Sequence, residues 1–228
     1  LELAKELYAA SLDAASDNNI KALILTANGK LFCGGGNLKF LLSKKKEVKK
    51  TLMEMTMYFH GAISRMARMS APVIVGVNGT AGGGGFSLAI TGDIIYAVKD
   101  AKFTLAYTNA GLSPDGSSTY YLPRIVGMKR AKELMLTNRL FSAGEALDMG
   151  LIDKVVNSNE ELNEAINKQA EVFSKGPINA YKSVKKLLSE SFNNGLESQM
   201  EIESIHISNN AETKDGIEGL TAFSEKRK

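Results

Sequence analysis

Two glycine-rich turns are the parts of this chain that are best suited to do chemistry. They cover residues 32–38 and 78–85, and each follows a short apolar segment typical of a β-strand. Glycine lets the backbone adopt unusual dihedral angles and lets a ligand approach the main chain closely. Two such turns, brought together, could aim two backbone N–H groups at one oxygen and form an oxyanion hole. The second turn also leads into a helix-like segment, residues 86–90, whose N-terminal end favours negative charge.

The glycine pattern alone leaves two interpretations open, an anion-binding site and a plain pair of turns, since glycine runs are common in turns. A dinucleotide or phosphate loop fits less well. No GxGxxG motif opens a strand–helix unit with an acidic residue at the expected distance, and no Gly-Lys-Ser/Thr ends either turn.

Several motifs along nearly the whole chain resemble the crotonase family, also called the enoyl-CoA hydratase/isomerase superfamily. The first turn, Phe32-Cys33-Gly34-Gly35-Gly36-Asn37-Leu38, resembles the family's F-x-x-G-x-[DN]-L motif. The segment 71–79 resembles its P-V-I-A-x-V-N-G strand. Further matches follow in the family's order at 83–85, 92–97, 111–116, 143–152 and 218–227.

This resemblance implies an α/β fold, namely a crotonase-type spiral of repeated β-β-α units over residues 1–156. A helical C-terminal region over residues 157–228 is expected to assemble the protein into a homotrimer or a hexamer. Family members usually begin with a strand and a segment that contacts the adenine of coenzyme A. This chain begins at Leu1, inside the next helix, so we expect that N-terminal strand to be missing.

The resemblance also implies a set of site residues. The two amide donors of the oxyanion hole fall on Gly36 and Gly84, and the substrate is an acyl-CoA thioester. Coenzyme A enters as part of the substrate, so no separate cofactor is expected. The remaining residues expected to contact substrate are Cys33, Gly34, Asn37, Leu38, Gly83 and Tyr107, with Phe223 and Lys226 near the nucleotide of coenzyme A.

The acid–base residues of a hydratase are missing. Hydratases of the family carry two glutamates, and the matching positions here hold Ser87 and Tyr107. Neither side chain is a good general base near neutral pH, because their pKa values lie far from it. Addition of water across an enoyl double bond needs two carboxyl-type groups, so we do not expect hydratase activity.

One carboxylate remains in a suitable place. Asp115 matches the position of an acidic residue in several enoyl-CoA and phenylacetate-pathway isomerases, and one carboxylate is enough to move a proton from the α- to the γ-carbon. The alternative is that Asp115 only caps the following helix, within the turn Pro114-Asp115-Gly116-Ser117-Ser118. We therefore predict an enoyl-CoA isomerase with Asp115, Gly36 and Gly84 as its catalytic groups.

Other functions stay open beside this prediction. The chain could be a non-hydrating acyl-CoA binder that kept the oxyanion hole, or an acyl-CoA lyase, decarboxylase or thioesterase. A serine hydrolase based on Ser87 is disfavoured, because the G-x-S-x-G motif is incomplete and only His60 and His206 could act as base. His60 is expected to be packed or solvent-facing, and Asp93 is expected to order a turn. No cluster of residues has the spacing of a metal site.

Composition excludes other classes of protein. The length of 228 residues fits one domain, and a net charge of +3 is too small to indicate nucleic-acid binding. The basic run between Lys44 and Lys50 is more simply a solvated helix start than a phosphate patch. A single cysteine, Cys33, excludes an internal disulfide and fits a reducing compartment. We expect no membrane span and a cytoplasmic protein, or one in a reducing organelle matrix if a targeting segment was lost.

Hydrophobic periodicity predicts helices over residues 1–16 and 47–69, and strands alternating with helices as far as Val156. Four further helices are predicted over 159–174, 178–193, 196–210 and 215–226. The methionine-rich part of the second helix, which includes Met53, Met55, Met57 and Met66, is expected to belong to the core, with part of it lining an acyl channel as an alternative.

Overall fold

The computed structural model describes residues 1–227 of the chain. The strands in this part are β1 (Leu23–Thr26), β2 (Leu31–Cys33), β3 (Val73–Val77), β4 (Thr80–Gly82), β5 (Ile94–Val98), β6 (Lys102–Thr104), β7 (Phe141–Ser142) and β8 (Lys154–Val156). The helices are α1 (Glu2–Ser16), α2 (Leu38–Ser43), α3 (Val48–Arg68), α4 (Gly84–Ala89), α5 (Ser118–Thr137), α6 (Ala143–Asp148), α7 (Asn159–Ser174), α8 (Ile178–Glu190), α9 (Leu196–Ala211) and α10 (Lys214–Ser224).

The strands form two four-stranded sheets, and the strands from β1 to β6 alternate between them. The first sheet has the order β1-β3-β5-β8 and is parallel throughout. The second has the order β2-β4-β6-β7, in which only the β6–β7 pair is antiparallel. Three successive turns of the chain therefore place one strand in each sheet before a helix. This confirms the predicted α/β spiral with a helical C-terminal region.

The core lies around β3 and between the two sheets. Every residue of β3 is buried, as expected for an inner strand of a parallel sheet that is covered on both faces. Phe86 on α4 packs edge-on against Phe103 and Phe141 of the second sheet, and its ring centroid lies 6.4 and 6.1 Å from theirs. These rings pack the start of α4, and with it the second glycine turn, onto β6 and β7.

The predicted helices are present with small shifts of their ends. The helix predicted over 47–69 is α3, and the helix predicted over 159–174 is α7 with the same bounds. Placing the whole methionine-rich stretch in the core was wrong. Met66 is buried, but Met53 and Met57 are exposed, because residues four apart share a helix face and this face of α3 points away from the core. No helix of residues 1–227 is long and apolar enough to cross a membrane.

A charge pair joins the helical C-terminal region to the core. The ammonium group of Lys185 on α8 lies 2.6 Å from Oδ2 of Asp93 and also donates to the carbonyl oxygens of Met66 and Ala71. The same Asp93 oxygen accepts the N–H of Val73 at 2.7 Å, at the start of β3. Asp93 therefore orders the turn before β5, as predicted, and also anchors α8.

We expect Lys185→Ala to lower the free energy of unfolding by about 2–3 kcal/mol, because it leaves the partly buried Asp93 carboxylate and two carbonyl groups without their partner. Lys186→Ala removes the same charge from the next, exposed position of α8 and is the matched control; we expect a change within about 0.5 kcal/mol. Urea unfolding measures both. Equal stability of the two variants would show that the Lys185 pair does not anchor α8.

Candidate active site

The two glycine-rich turns meet at the ends of β2 and β4, which are neighbours in the second sheet. Gly35 has a φ of +89°, and a Cβ added to it would lie 3.0 Å from both the carbonyl oxygen of Gly82 and the amide nitrogen of Gly84. Any other residue would therefore force the turns apart. Gly83, with φ +52° and ψ −126°, holds a conformation that side chains disfavour.

Two N–H groups are left without a partner where these turns meet. Gly84 is the first residue of α4 and so has no intrahelical acceptor for its N–H. Within residues 1–227 the N–H of Gly36 also donates no hydrogen bond, whereas the N–H of Gly35 donates to Cys33 Sγ. We call this pair of turns, residues 33–36 and 82–84, the glycine cradle. Its free N–H groups can donate hydrogen bonds to an oxygen atom of a ligand.

The other predicted residues of the first turn have identifiable roles in the fold. Cys33 Sγ accepts the N–H of Gly35 at 3.5 Å, and Asn37 caps α2 by accepting the N–H of Phe40 at 3.0 Å. A Cβ on Gly34 would have no neighbour within 4 Å, and Leu38 is half exposed at the start of α2. All four lie in or beside the glycine cradle.

The carboxylate of Asp115 is held by side chains and does not cap a helix. Oδ1 accepts the hydroxyl of Tyr107 at 2.5 Å, and Oδ2 lies 3.3 Å from Nε2 of His60. No backbone N–H of α5 donates to this carboxylate, and the residue at the N-cap position of α5 is Ser117. The geometry therefore contradicts the alternative in which Asp115 is merely a helix cap.

Ser87 and Tyr107 lie together beside Asp115. Their hydroxyl oxygens are 2.8 Å apart, and the Ser87 hydroxyl is also 2.8 Å from the backbone carbonyl of Asp115. Burial, and then the hydrogen bond to Asp115, raise the pKa of the Tyr107 phenol well above its ordinary value. Tyr107 is therefore a neutral donor, and Asp115 is the carboxylate of this cluster.

Backbone strain marks the two segments that carry this cluster. Ala106, directly before Tyr107, has a φ of +56°, and Ser117, two residues after Asp115, has a φ of +68°. Left-handed conformations are unfavourable for residues with a side chain and tend to occur where the surrounding structure holds a functional group in place. Both strained residues help to aim the hydroxyl of Tyr107 and the carboxylate of Asp115 at each other.

Sequence reasoning missed the position of His60. Its side chain is half exposed, as expected, but its Nε2 atom contacts Asp115 and also accepts the N–H of Gly116 at 3.1 Å. One ring nitrogen offers either a lone pair or a proton, so the two contacts are alternatives. A neutral Nε2 accepts from Gly116, and a protonated one donates to Asp115. The 55 residues that separate His60 from Asp115 gave no local signal of this contact.

The Asp115 cluster is close to the glycine cradle. Ser87 lies three residues after Gly84 on α4, a rise of about 4.5 Å along the helix. Phe59 lies between the two groups: a Cβ on Gly84 would be 3.7 Å from its ring, and a Cβ on Gly116 would be 2.6 Å from it. The glycine cradle and the Asp115 loop therefore pack against the same aromatic ring.

Phe223 and Lys226 lie at the C-terminal end of the described residues, away from the cradle. Phe223 is on α10, which packs on α9, and the Phe223 residue is 88% exposed. Lys226 follows the end of α10. Their expected contact with the nucleotide of coenzyme A stays a prediction. Among residues 1–227 no group of three or more His, Cys, Asp and Glu side chains is arranged to hold a metal ion.

Comparison with known proteins identifies relatives along the whole chain. The family model described as enoyl-CoA hydratase/isomerase matches residues 1–228. The 1,2-epoxyphenylacetyl-CoA isomerase of Escherichia coli K12 is 32% identical, over 92% of this chain and 80% of the relative. The 4-chlorobenzoyl coenzyme A dehalogenase-1 of an Arthrobacter species is also 32% identical, over 82% and 68%. A solved structure of an enoyl-CoA hydratase from Polaromonas sp. JS666 superposes with a TM-score of 0.90 at 34% identity, over 96% and 87%.

The close packing at Gly116 generates a prediction. In Gly116→Ala the new Cβ would lie 2.6 Å from the Phe59 ring and 2.8 Å from Ser87 Cβ. Gly111→Ala is the matched control, because Gly111 also has a positive φ but no neighbour within 4 Å. We expect about 1 kcal/mol of backbone strain in both variants and about 1–3 kcal/mol more in Gly116→Ala from overpacking. Urea unfolding compares them, and equal losses would contradict the described packing of the Asp115 loop.

Proposed function

The chain belongs to the enoyl-CoA hydratase/isomerase family, and we propose that it is an enoyl-CoA isomerase in which Asp115 is the single acid–base group. The family match confirms the resemblance predicted from the sequence motifs. The observation that carries the proposal is the position of Asp115. Its carboxylate is held by Tyr107, on a loop that packs against the same Phe59 ring as Gly84 of the glycine cradle.

The proposed reaction begins with a 3-enoyl thioester whose carbonyl oxygen accepts the N–H groups of Gly36 and Gly84. Asp115 removes a proton from the α-carbon, and the electron pair of that C–H bond moves toward the thioester oxygen, giving a dienolate. Asp115 then returns the proton to the γ-carbon, and the double bond moves into conjugation with the thioester. Donors placed at the developing oxyanion stabilise this intermediate more strongly than they stabilise the ground state.

Hydration by the route of the family's hydratases needs two glutamates, which this site lacks. Ser87 and Tyr107 occupy the positions where hydratases of the family carry glutamates, and they hydrogen-bond to each other. Burial raises the pKa of Tyr107 further above neutral pH, and a serine hydroxyl is a poor base there, so neither residue can activate water. Tyr107 instead acts as a positioning residue, because its hydrogen bond fixes the carboxylate against the acyl group.

A second candidate is supported by the contact between His60 and Asp115. In hydrolytic dehalogenation of a haloaroyl thioester, the carboxylate would attack the ring carbon that carries the halogen, and halide would leave. Water deprotonated by an imidazole would then cleave the resulting aryl ester, which releases the hydroxyaroyl thioester and restores the carboxylate. His60 lies where such a base is needed. One relative is named a 4-chlorobenzoyl coenzyme A dehalogenase, which supports testing this reaction beside isomerisation.

We also propose that the protein is a homotrimer or a hexamer of two trimers. Helices α8, α9 and α10 expose apolar side chains that the chain's own small domain leaves uncovered. Association of identical chains would cover them. They include Val184, Leu188, Leu196, Ile207, Leu220 and Phe223.

The first test removes one oxyanion donor. Gly36→Pro lacks the N–H and should lower kcat for 3-enoyl-CoA isomerisation about 100- to 1,000-fold, the usual effect of losing one such donor. Gly36→Ala is the matched variant: it keeps the N–H, and its Cβ has no neighbour within 4 Å, so most of the activity should remain. Thermal unfolding confirms that both variants are folded. Equal rates for folded Gly36→Pro and Gly36→Ala would exclude the Gly36 amide as a donor.

The second test removes the base and separates the candidate reactions. Asp115→Asn keeps the size of the side chain, and we expect it to slow isomerisation by about 100- to 10,000-fold. The wild type should not hydrate crotonyl-CoA at a useful rate. His60→Gln should reduce isomerisation less than tenfold, because Asp115 both removes and returns the proton.

Substrate depletion and product formation are followed by chromatography with 3-enoyl-CoA, crotonyl-CoA and 4-chlorobenzoyl-CoA in parallel. Isomerisation that persists in Asp115→Asn would exclude Asp115 as the base. Chloride release from 4-chlorobenzoyl-CoA that is lost in His60→Gln, without isomerisation by the wild type, would favour the hydrolytic candidate instead.

A further inference from the structure

An open cavity of about 440 Å³ adjoins the Asp115 cluster. One face of α3 forms its first wall, with His60, Ser64 and Arg68 at positions four residues apart. The start of α5 contributes Tyr120 and Tyr121, and α8 contributes Ser189. His60 and Gly116 line this cavity, and His60 also contacts the Asp115 carboxylate, so the cavity adjoins the group that we propose as the base.

The polar groups of this cavity are incompletely paired. The Tyr121 hydroxyl makes no hydrogen bond within residues 1–227, whereas the Tyr120 hydroxyl donates to the Ser189 carbonyl at 3.3 Å. The Arg68 guanidinium donates through Nε to the carbonyl of Ser64 and forms no ion pair with the described residues. A carboxylate in the cavity could accept hydrogen bonds from both donors, whereas a methyl terminus could accept none.

The electrostatic environment of the cavity favours an anion. None of its lining residues is a carboxylate, and the one carboxylate in contact with the lining, Asp115, lies 3.3 Å from His60, two helical turns from Arg68. The guanidinium of Arg124 lies 3.6 Å from the centre of the Tyr120 ring and adds a second positive charge beside the lining. Burial, followed by the neighbouring Tyr120 and Asp93, raises the pKa of Tyr121 above its ordinary value. Asp93 is itself paired with Lys185 at 2.6 Å, so its charge is largely compensated.

We propose that this cavity binds a carboxylate at the distal end of the acyl group, so that the substrate is an acyl-CoA with a second, terminal carboxyl group. Arg68 and Tyr121 are the residues that recognise it. This inference rests on the proposed function for the placement of the thioester in the glycine cradle. Arg68 lies two turns, about 12 Å, beyond His60 along α3, and its side chain reaches back toward the cavity.

The test measures binding rather than turnover, so that it does not depend on the reaction. Calorimetry compares the Kd of octanedioyl-CoA with that of octanoyl-CoA, two saturated thioesters of equal chain length. We expect the full-length wild-type chain to bind the diacid derivative at least tenfold more tightly, with a smaller preference at high salt, because salt screens the ion pair. In Arg68→Met the ratio of the two Kd values should fall to near one, and Tyr121→Phe should reduce it by a smaller factor.

Lys129→Met is the control, because it removes one positive charge from an exposed position of α5 outside the cavity; the ratio should equal that of the wild type. Equal or weaker binding of octanedioyl-CoA by the wild type would overturn the inference, and a full preference in Arg68→Met would overturn the assignment to Arg68. Preferential diacid binding by a protein that does not isomerise 3-octenedioyl-CoA would leave this inference standing and refute the proposed isomerase function.

Discussion

The close approach of two glycine turns is the constraint on which the rest of the site depends. Gly35 lies so close to Gly82 and Gly84 that a single Cβ would separate the turns. This contact exists because β2 and β4 are parallel neighbours and end at the same edge of the second sheet. The sheet therefore fixes the two free N–H groups before any ligand binds, and such preorganisation is what makes oxyanion donors effective.

The second requirement is a carboxylate that is held at a defined distance from those donors. The backbone of the Asp115 loop is tied to α4 through Ser87, and its side chain is tied to Tyr107. Strained residues on both segments, Ala106 and Ser117, are tolerated because these contacts and the Phe59 ring leave the loop little freedom. Positioning of one carboxylate is sufficient for proton transfer within a thioester, whereas addition of water needs a second acid–base group.

The local features of the fold could be predicted from the sequence, and the long-range contacts could not. The helix over 159–174 and the alternation of strands and helices followed from hydrophobic periodicity, which is a property of adjacent residues. The contact of His60 with Asp115 depends on how α3 packs against the loop before α5, and no spacing in the chain encodes that packing. The exposure of Met53 and Met57 has the same origin, because periodicity identifies a helix but not which apolar residues its neighbours cover. The roles of Gly36, Gly84 and Asp115 remain predictions that the geometry supports.

The central claim is that Gly36, Gly84 and Asp115 act on one thioester. A crystal structure with a bound, unreactive acyl-CoA analogue tests it most directly. The account predicts that the thioester oxygen lies within about 3 Å of both amide nitrogens and that the Asp115 carboxylate is the ionisable group next to the α-carbon. A thioester oxygen bound elsewhere, or an α-carbon that lies beyond the reach of Asp115, would contradict it.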